Sequence, residues 1–349
     1  MRKFGVQATG LLAPIIRQGD NLEKIVVDTV LNSGLTIEDK DVVAITESVV
    51  ARAEGNYVTI DEVAEDIKRV MGNVDNIFLY DPIYSRNRFA MILKAFARAA
   101  GKCIIIRMPN IDEVGNVLRN HPFTGLNYDE YYKSIVEAEG KECIILYEGE
   151  ARDIDCYLVD CSLHLPEDSI YDVYTLRDFC KDKCNYGLLG SNKASEEKLK
   201  LFPSYDYAQT LVDDISHDIF DKTGKRVEAL VYGDGCFKDP VGGIYEWADP
   251  VVSPAYTEGL EGTPNELKLK NLADEKYAHL NGRELSEAIR EQVKRKDNNL
   301  KGKMVSQGTT PRRYTDLLGS LSDLISGSGD KGTPIVYIKG YFKNYASEE

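Results

Sequence analysis

A chain of 349 residues, with 43% hydrophobic and 29% charged residues, is long enough for about two globular domains with buried cores. Its formal net charge of −14 argues against a nucleic-acid partner, because binding a phosphate backbone requires a clustered basic surface. No stretch approaches the roughly 18 apolar residues of a membrane-spanning helix, and the N-terminus lacks the apolar core of a signal peptide. The seven cysteines form no paired CxxC sites. We therefore expect a cytoplasmic protein with reduced thiols and no membrane partner.

The first hundred residues alternate between helix and strand patterns. Asp20, with Glu23 three residues later, is predicted to cap a helix that stops near Gly34. The elements predicted next are a buried strand at 41–46, a helix at 60–71, a strand at 76–80, a helix at 86–101 and a strand at 102–108. Such alternation is typical of an α/β domain that contains parallel strand pairs.

The remainder of the chain is less regular. Its predicted elements are strands at 142–147 and 156–161, a helix at 205–222, a strand at 226–232, two helices across 264–296, a helix at 312–326 and a strand at 334–341. We expect an inserted α/β subdomain at 108–225, between an N-terminal part at 1–107 and a C-terminal part at 226–349.

An acidic residue between two glycines follows the predicted strand at 226–232. In "VYGDGCFKDP", Asp234 lies between Gly233 and Gly235, and Lys238 comes four residues later. A carboxylate at the carboxyl end of a strand can hold a hard cation such as Mg²⁺ or Mn²⁺, and glycines let the backbone approach a phosphate. Gly-Asp-Gly is also common in turns, so an ordinary loop is the alternative.

Further candidates lie toward the C-terminus. Asp274 and Glu275 form an acidic pair on a predicted helix, where a solvated helix face is the alternative. The segment "ISGSGDKGTP" matches GxGxxG, but it follows a helix and precedes a strand, so it does not fit a dinucleotide fingerprint. It could instead contact phosphate through its backbone and Lys331. Arg312 and Arg313 begin a predicted helix, where anions bind readily.

The order of several segments resembles one known family. "GLLAPIIRQGDNLEKIV" and "DVVAITESVVARAEG", followed much later by "YGDGCFKDP", "LADE" and "GTPIVYIKGY", resemble the coenzyme F420-0:L-glutamate ligase family. Arg52, within "VVARAEG", stands where that family often has lysine. The resemblance covers residues 1–105 and 228–341.

The resemblance implies a fold, an activity and roles for the candidate residues. The fold would be α/β, a mixed sheet with flanking helices and a large middle insertion, in a homodimer. The activity would be that of a gamma-glutamyl ligase, in which GTP or ATP activates a substrate carboxylate as an acyl phosphate and L-glutamate forms the amide. K⁺ is an additional candidate ion. The implied roles are metal binding by Asp234, Asp274 and Glu275, catalysis by Asp234 and Lys238, and substrate or nucleotide binding by Arg52, Glu54, Gly233, Gly235, Arg312, Arg313 and Lys331.

Two other classes of function remain open. One is a metal-dependent phosphotransferase or nucleotidase, and the other is a non-catalytic nucleotide-binding protein on the same fold. A ligase predicts nucleotide turnover that requires glutamate and an acceptor. A nucleotidase needs no glutamate, and a binding protein shows no turnover.

Overall fold

The computed structural model of the chain describes residues 4–80, 86–108, 119–120, 124–147, 156–161, 173–238, 245–264, 267–296, 313–327 and 329–347. Within these ranges, the side chains of residues 86, 234–238 and 245–252 lie outside the description. The chain divides into two compact units. Unit 1 consists of Met1–Glu54 and Tyr205–Glu349, and unit 2 consists of Gly55–Ser204.

The described residues contain strands and helices of ordinary length. The strands are β1 (Gln7–Leu11), β2 (Val42–Thr46), β3 (Tyr57–Thr59), β4 (Asn76–Tyr80), β5 (Cys103–Met108), β6 (Glu142–Tyr147), β7 (Tyr157–Asp160), β8 (Val173–Thr175), β9 (Ser191–Ser195), β10 (Lys198–Leu201), β11 (Glu228–Lys238), β12 (Tyr245–Tyr256) and β13 (Ile335–Lys339). The helices are α1 (Leu22–Leu31), α2 (Glu47–Glu54), α3 (Ile60–Met71), α4 (Arg86–Ala99), α5 (Tyr128–Ala138), α6 (Tyr205–Thr223), α7 (Leu269–Asn271), α8 (Gly282–Lys294) and α9 (Tyr314–Ser326). A π turn, Leu272–Lys276, continues α7.

Unit 1 is built on a mixed sheet with helices on both faces. The strand order is β1-β13-β2-β11-β12, and only β2 and β11 pair in parallel among these strands. Side chains alternate between the two faces. Val43 and Ile45 pack with α1 and α6, whereas Val42 and Ala44 pack with α9, so β2 is apolar along nearly its whole length. This architecture confirms the predicted fold class.

Unit 2 contains a parallel sheet and a smaller antiparallel one. The parallel sheet has the order β6-β5-β4-β7-β8, and the antiparallel sheet has the order β3-β10-β9. The units divide at 54/55 and 204/205, whereas the sequence placed the boundaries at 107/108 and 225/226. The difference has a structural cause. β4 and nearly all of β5 lie before the predicted boundary at 107/108 but pair with β7 and β6, so residues on both sides of that boundary share one sheet.

The start of α1 differs from the prediction. The side chain of Asn21, not Asp20, caps this helix by accepting a hydrogen bond from the Lys24 N–H at 2.8 Å. The Asp20 carboxylate instead accepts a bond from the Arg17 N–H at 2.6 Å, which fixes the turn before the helix. The predicted capping box at Asp20 and Glu23 is therefore wrong.

Candidate active site

A cavity of about 470 Å³ opens in unit 1 at the carboxyl end of β2. Three segments line it. They are residues 13–16 before α1, residues 46–52 across the junction of β2 and α2, and residues 323–334 between α9 and β13. The volume lies within the usual range of small-molecule sites. Ligands of α/β proteins also tend to bind at the carboxyl ends of parallel strands, and β2 belongs to the parallel pair of this sheet.

The first turn of α2 forms one wall of the cavity. β2 ends at Thr46 and α2 begins at the next residue, so the helix starts directly at the sheet edge. The Thr46 N–H donates a hydrogen bond to the Pro334 carbonyl at 3.0 Å, which ties this junction to the segment before β13. The leading N–H groups of a helix carry partial positive charge and attract anions. Arg52, an exposed cation one turn further along α2, also lines the cavity.

The glycine segment predicted to contact phosphate forms another wall of the cavity. Gly327, Gly329 and Gly332 all line the cavity, between the end of α9 and the start of β13. Gly327 and Gly332 have φ angles of 61° and 68°, in the left-handed region that favours glycine. Lys331 folds back over Gly327, and its Nζ lies 2.9 Å from the position of a Cβ built there. Of the predicted binding residues, Arg52 therefore lines the cavity, and Lys331 lies beside Gly327, which lines it as well.

Hydroxyl groups beneath the glycine segment were not found by sequence reasoning. Ser326 and Asp323 line the cavity, and the buried hydroxyl of Tyr232 lies beside them. Burial raises the pKa of Tyr232 to about 12, and the neighbouring Ser326 lowers it slightly while Asp323 raises it. Ser326 is close enough to influence the pKa of Tyr232, but the geometry between them falls short of a hydrogen bond. No other group among the described residues forms a hydrogen bond with the Tyr232 hydroxyl. No sequence signal indicated this group, because Tyr232 has the pattern of an ordinary residue of a buried strand.

Asp234 lies within a strand and not in a loop. β11 continues without interruption through Gly233 and Gly235 to Lys238, paired with β12, so the predicted loop is wrong. The register shifts twice, between Val231 and Gly233 and again between Gly233 and Gly235, and glycine is common at such irregularities. The parallel register pairs Tyr232 with Thr46, which lines the cavity. Asp234 therefore lies two residues after Tyr232 along β11, close to this edge of the sheet. The side chains of Asp234 and Lys238 lie outside the described part of the structure.

Of the three predicted metal ligands, the structure describes the side chains of two, Asp274 and Glu275. Asp274 and Glu275 are exposed neighbours on the π turn that follows α7. Their carboxylates suit Mg²⁺ or Mn²⁺ chemically. Among the side chains that the structure describes, however, no three of the Asp, Glu, His and Cys type converge. The described residues thus do not by themselves form a metal site, and metal binding remains a prediction that depends on Asp234.

Two further candidates lie away from the cavity walls. Glu54 ends α2 half-buried, close enough to Tyr207 that it adds to the rise in the pKa of that tyrosine, which burial mainly causes. Arg313 caps the start of α9 and pairs with Asp316 at 2.8 Å. Because α9 has 13 residues, its start lies about 20 Å from its cavity-lining end. Arg313 therefore stabilises a helix, and its neighbour Arg312 lies outside the described residues.

Comparison with known proteins identifies the family. The family model described as F420-0:Gamma-glutamyl ligase matches residues 10–340, nearly the whole chain. The chain belongs to the F420-0:gamma-glutamyl ligase family. The match includes the cavity walls of unit 1 and all of unit 2, and it confirms the resemblance found in the sequence.

One relative shares a short stretch of sequence with this chain, and the helices can be compared with the length of a membrane span. An uncharacterised protein of Methanocaldococcus jannaschii is 44% identical over 43 residues, which are 12% of this chain and 15% of that protein. The chain thus matches only a small part of that relative's length. In the described portion of the chain, each helix is too short or too polar to cross a bilayer.

Proposed function

We propose that this member of the family is a gamma-glutamyl ligase that uses GTP or ATP to join L-glutamate to a substrate carboxylate. One observation carries the proposal. The start of α2, Arg52 and a glycine segment line a single cavity at the carboxyl edge of β2, and Lys331 lies beside Gly327 of that segment. Helix N–H groups, flexible glycine backbone and two cations are the groups that bind phosphates and carboxylates. All substrates of such a ligase carry one of these anions.

The proposed reaction has two transfers. In the first, the terminal phosphoryl group of the nucleotide moves to an oxygen of the substrate carboxylate, so the β–γ phosphate bond breaks and the nucleoside diphosphate leaves. In the second, the amine of glutamate attacks the acyl carbon, inorganic phosphate leaves with the bonding electrons, and the amine loses a proton. Both steps place negative charge on phosphate oxygens, so cations fixed beside them lower the barrier.

The cavity residues fit the task of holding anions. Arg52 can form paired hydrogen bonds to a phosphate or carboxylate, and Lys331, beside Gly327, can supply a flexible point charge. Ser326 and Thr333, which line the same cavity, offer hydroxyl groups for hydrogen bonding. Thr333 already donates to the Ser326 carbonyl at 2.9 Å, which holds the glycine segment against the end of α9. These residues bind and orient the substrates.

The metal, the dimer and the choice of nucleotide belong to the proposal as well. A divalent ion held by Asp234, Asp274 and Glu275, a homodimer and K⁺ are supported by the resemblance and not by described contacts. Titrating GTP or ATP calorimetrically with and without Mg²⁺ or Mn²⁺ tests the ion. The Asp234→Asn variant should lose metal-dependent nucleotide binding and keep its melting temperature, whereas a lower melting temperature with intact binding would show a structural aspartate.

The decisive experiment measures phosphate release from GTP and from ATP with F420-0 as the trial acceptor. We expect release that requires both the acceptor and L-glutamate, together with a product heavier by one glutamyl residue. Arg52→Ala should reduce the rate at least about tenfold, since an ionic hydrogen bond to phosphate is lost. Arg283→Ala is the matched control, because Arg283 is 91% exposed on α8 and its described ion pair, with Glu287, lies at the surface. Release without glutamate would favour a nucleotidase, and nucleotide binding without release would favour a binding protein.

A further inference from the structure

One buried polar group beside the cavity of unit 1 lacks a hydrogen-bond partner among the described residues. It is the hydroxyl of Tyr232, a residue that is 1% exposed. Another buried tyrosine of the same sheet, Tyr337, donates to Asp41 Oδ2 at 2.8 Å. A buried hydroxyl without a partner destabilises the folded state and is rare in native proteins. The unpaired hydroxyl of Tyr232 therefore requires a physical explanation.

Tyr232 lies in the layer directly behind the cavity wall. The parallel register pairs it with Thr46, which lines the cavity, and residues paired in this way share a face of the sheet. On that face Tyr232 belongs to the same apolar cluster as Leu318 of α9. Ser326, in the last turn of α9, is a polar neighbour of Tyr232 and also lines the cavity. Ser326 therefore connects the Tyr232 hydroxyl with the cavity.

The Ser326 hydroxyl has a hydrogen bond that it can exchange for others. It donates to the Asp323 carbonyl at 3.0 Å. That carbonyl also accepts a hydrogen bond from the Gly327 N–H at 3.1 Å, so it stays satisfied if the serine turns away. A serine hydroxyl has one hydrogen to donate and two lone pairs that accept. Ser326 can therefore donate to a ligand and accept from Tyr232 at the same time.

We propose that Tyr232 is a positioning residue that acts through Ser326 when an anion binds in the cavity. The Ser326 side chain then rotates, donates its hydrogen to a phosphate or carboxylate oxygen, and accepts the hydrogen of the Tyr232 hydroxyl. The bond to the Asp323 carbonyl is thereby replaced by two hydrogen bonds, and the one to the anion is charge-assisted. Burial raises the pKa of Tyr232 to about 12, so its hydroxyl keeps its hydrogen near neutral pH.

The unpaired hydroxyl thus acquires its partner only in the complex with the anion. The free protein contains a buried donor without an acceptor, and binding satisfies it, so the second hydrogen bond adds to the affinity for the anion. Tyr232 also fixes the orientation in which Ser326 faces the ligand. The inference rests on the anion binding of the proposed function and assigns these two side chains to it.

Pyrophosphate titration and thermal unfolding of two tyrosine variants test the inference. Tyr232→Phe removes only the unpaired hydroxyl. It should melt at or above the wild-type temperature and bind pyrophosphate about threefold to tenfold more weakly. Tyr337→Phe is the matched control, because its hydroxyl already has an acceptor, Asp41, at the end of β2 opposite the cavity. It should melt at a lower temperature and keep the wild-type affinity.

A double-mutant cycle shows whether Tyr232 acts through Ser326. Ser326→Ala should weaken pyrophosphate binding about tenfold, since the charge-assisted hydrogen bond is lost. Adding Tyr232→Phe to Ser326→Ala should change the affinity by less than about twofold, because the tyrosine then has no serine hydroxyl to hold. Losses that multiply in the double variant would show that the two residues act independently, and would overturn the inference.

The inference and the proposed function can fail separately. Equal pyrophosphate affinity of Tyr232→Phe and the wild type would overturn the inference alone. A melting temperature of Tyr232→Phe as low as that of Tyr337→Phe would show that the Tyr232 hydroxyl is already bonded in the free protein, and would overturn it as well. Pyrophosphate binding without ligase turnover would contradict the proposed reaction alone. Failure of the wild type to bind pyrophosphate would contradict the anion site and overturn both conclusions.

Discussion

The glycine segment beside the cavity allows backbone strain and anion binding to be tested separately. At Gly327, an alanine Cβ would meet a left-handed φ of 61° and would lie 2.9 Å from Lys331 Nζ. At Gly332, φ is 68°, but among the described residues a Cβ would meet only Leu12, at 3.8 Å. At Gly329, a Cβ would meet no described atom within 4 Å. Gly327→Ala therefore combines backbone strain with a displaced Lys331 side chain. Gly332→Ala imposes backbone strain alone, and Gly329→Ala imposes neither effect.

The expected magnitudes follow from these differences. Placing alanine in the left-handed region costs about 1–2 kcal/mol, whereas alanine in an ordinary conformation is neutral or stabilises by about 0.4–1 kcal/mol. In a unit of about 200 residues, each kcal/mol shifts the melting temperature by about 2–4 °C. Gly327→Ala and Gly332→Ala should both melt several degrees lower, while Gly329→Ala should melt at or above the wild-type temperature. Only Gly327→Ala pushes the Lys331 amine away, and the loss of one ionic hydrogen bond weakens anion binding by about tenfold.

Scanning calorimetry and a pyrophosphate titration of the same three samples provide the assay. Pyrophosphate is a suitable probe because it carries the phosphates without requiring a base or sugar site. The reasoning predicts weak binding for Gly327→Ala, wild-type affinity for Gly332→Ala and Gly329→Ala, and a lower melting temperature for the first two. Equal affinity in Gly327→Ala and Gly332→Ala would refute the inference that Lys331 contacts the anion.

Three other predictions concern stability and reactivity. Tyr337→Phe should cost about 1–3 kcal/mol, because the buried Tyr337 hydroxyl donates to Asp41 Oδ2 at 2.8 Å. Burial raises the pKa of Tyr337, so the stability that its hydroxyl contributes is complete below pH about 10 and is lost at higher pH. Denaturant titrations at pH 8 and 11 should therefore show a smaller alkaline loss of stability in the variant than in the wild type. Thr59→Ala should cost about 1 kcal/mol by removing the cap of α3. The Thr59 N–H and hydroxyl both lower the pKa of Glu62, and alanine keeps only the N–H, so urea titrations should show a smaller difference between variant and wild type as the pH falls below about 4. Burial raises the pKa of Cys143 to about 12, so a disulfide reagent at pH 8 should modify it at least about tenfold more slowly than free cysteine, and urea should abolish the difference.

Elements with strong local signals were predicted accurately from the sequence. α3 occupies 60–71, as predicted, because its apolar residues recur on one face and Thr59 and Glu62 form a capping box at its start. β4 likewise occupies 76–80 and β6 occupies 142–147. In each case the local pattern and the tertiary packing favour the same structure.

Elements decided by distant partners were not predicted. α2 was missed because it has only eight residues and follows β2 without a turn, so no local signal separates the two. The strand through Asp234 depends on β12, which supplies hydrogen bonds that two glycines would otherwise disfavour. The cavity itself combines segments from residues 13 to 334, so the sequence indicated Arg52 and the glycine segment separately but not their common location.

The position of the cavity follows from the one parallel pairing in the described sheet of unit 1. An antiparallel pair can be joined by a short hairpin, but a parallel pair requires a crossover that returns the chain to the same end of the sheet. Between β2 and β11 that crossover contains α2, all of unit 2 and α6. Unit 2 therefore lies in the β2–β11 connection, which must be long in any case, and a long segment there leaves the antiparallel pairing of β1, β13 and β2 undisturbed. The same connection begins with α2, so the crossover that accommodates unit 2 also places the first turn of α2 and Arg52 at the carboxyl edge of β2.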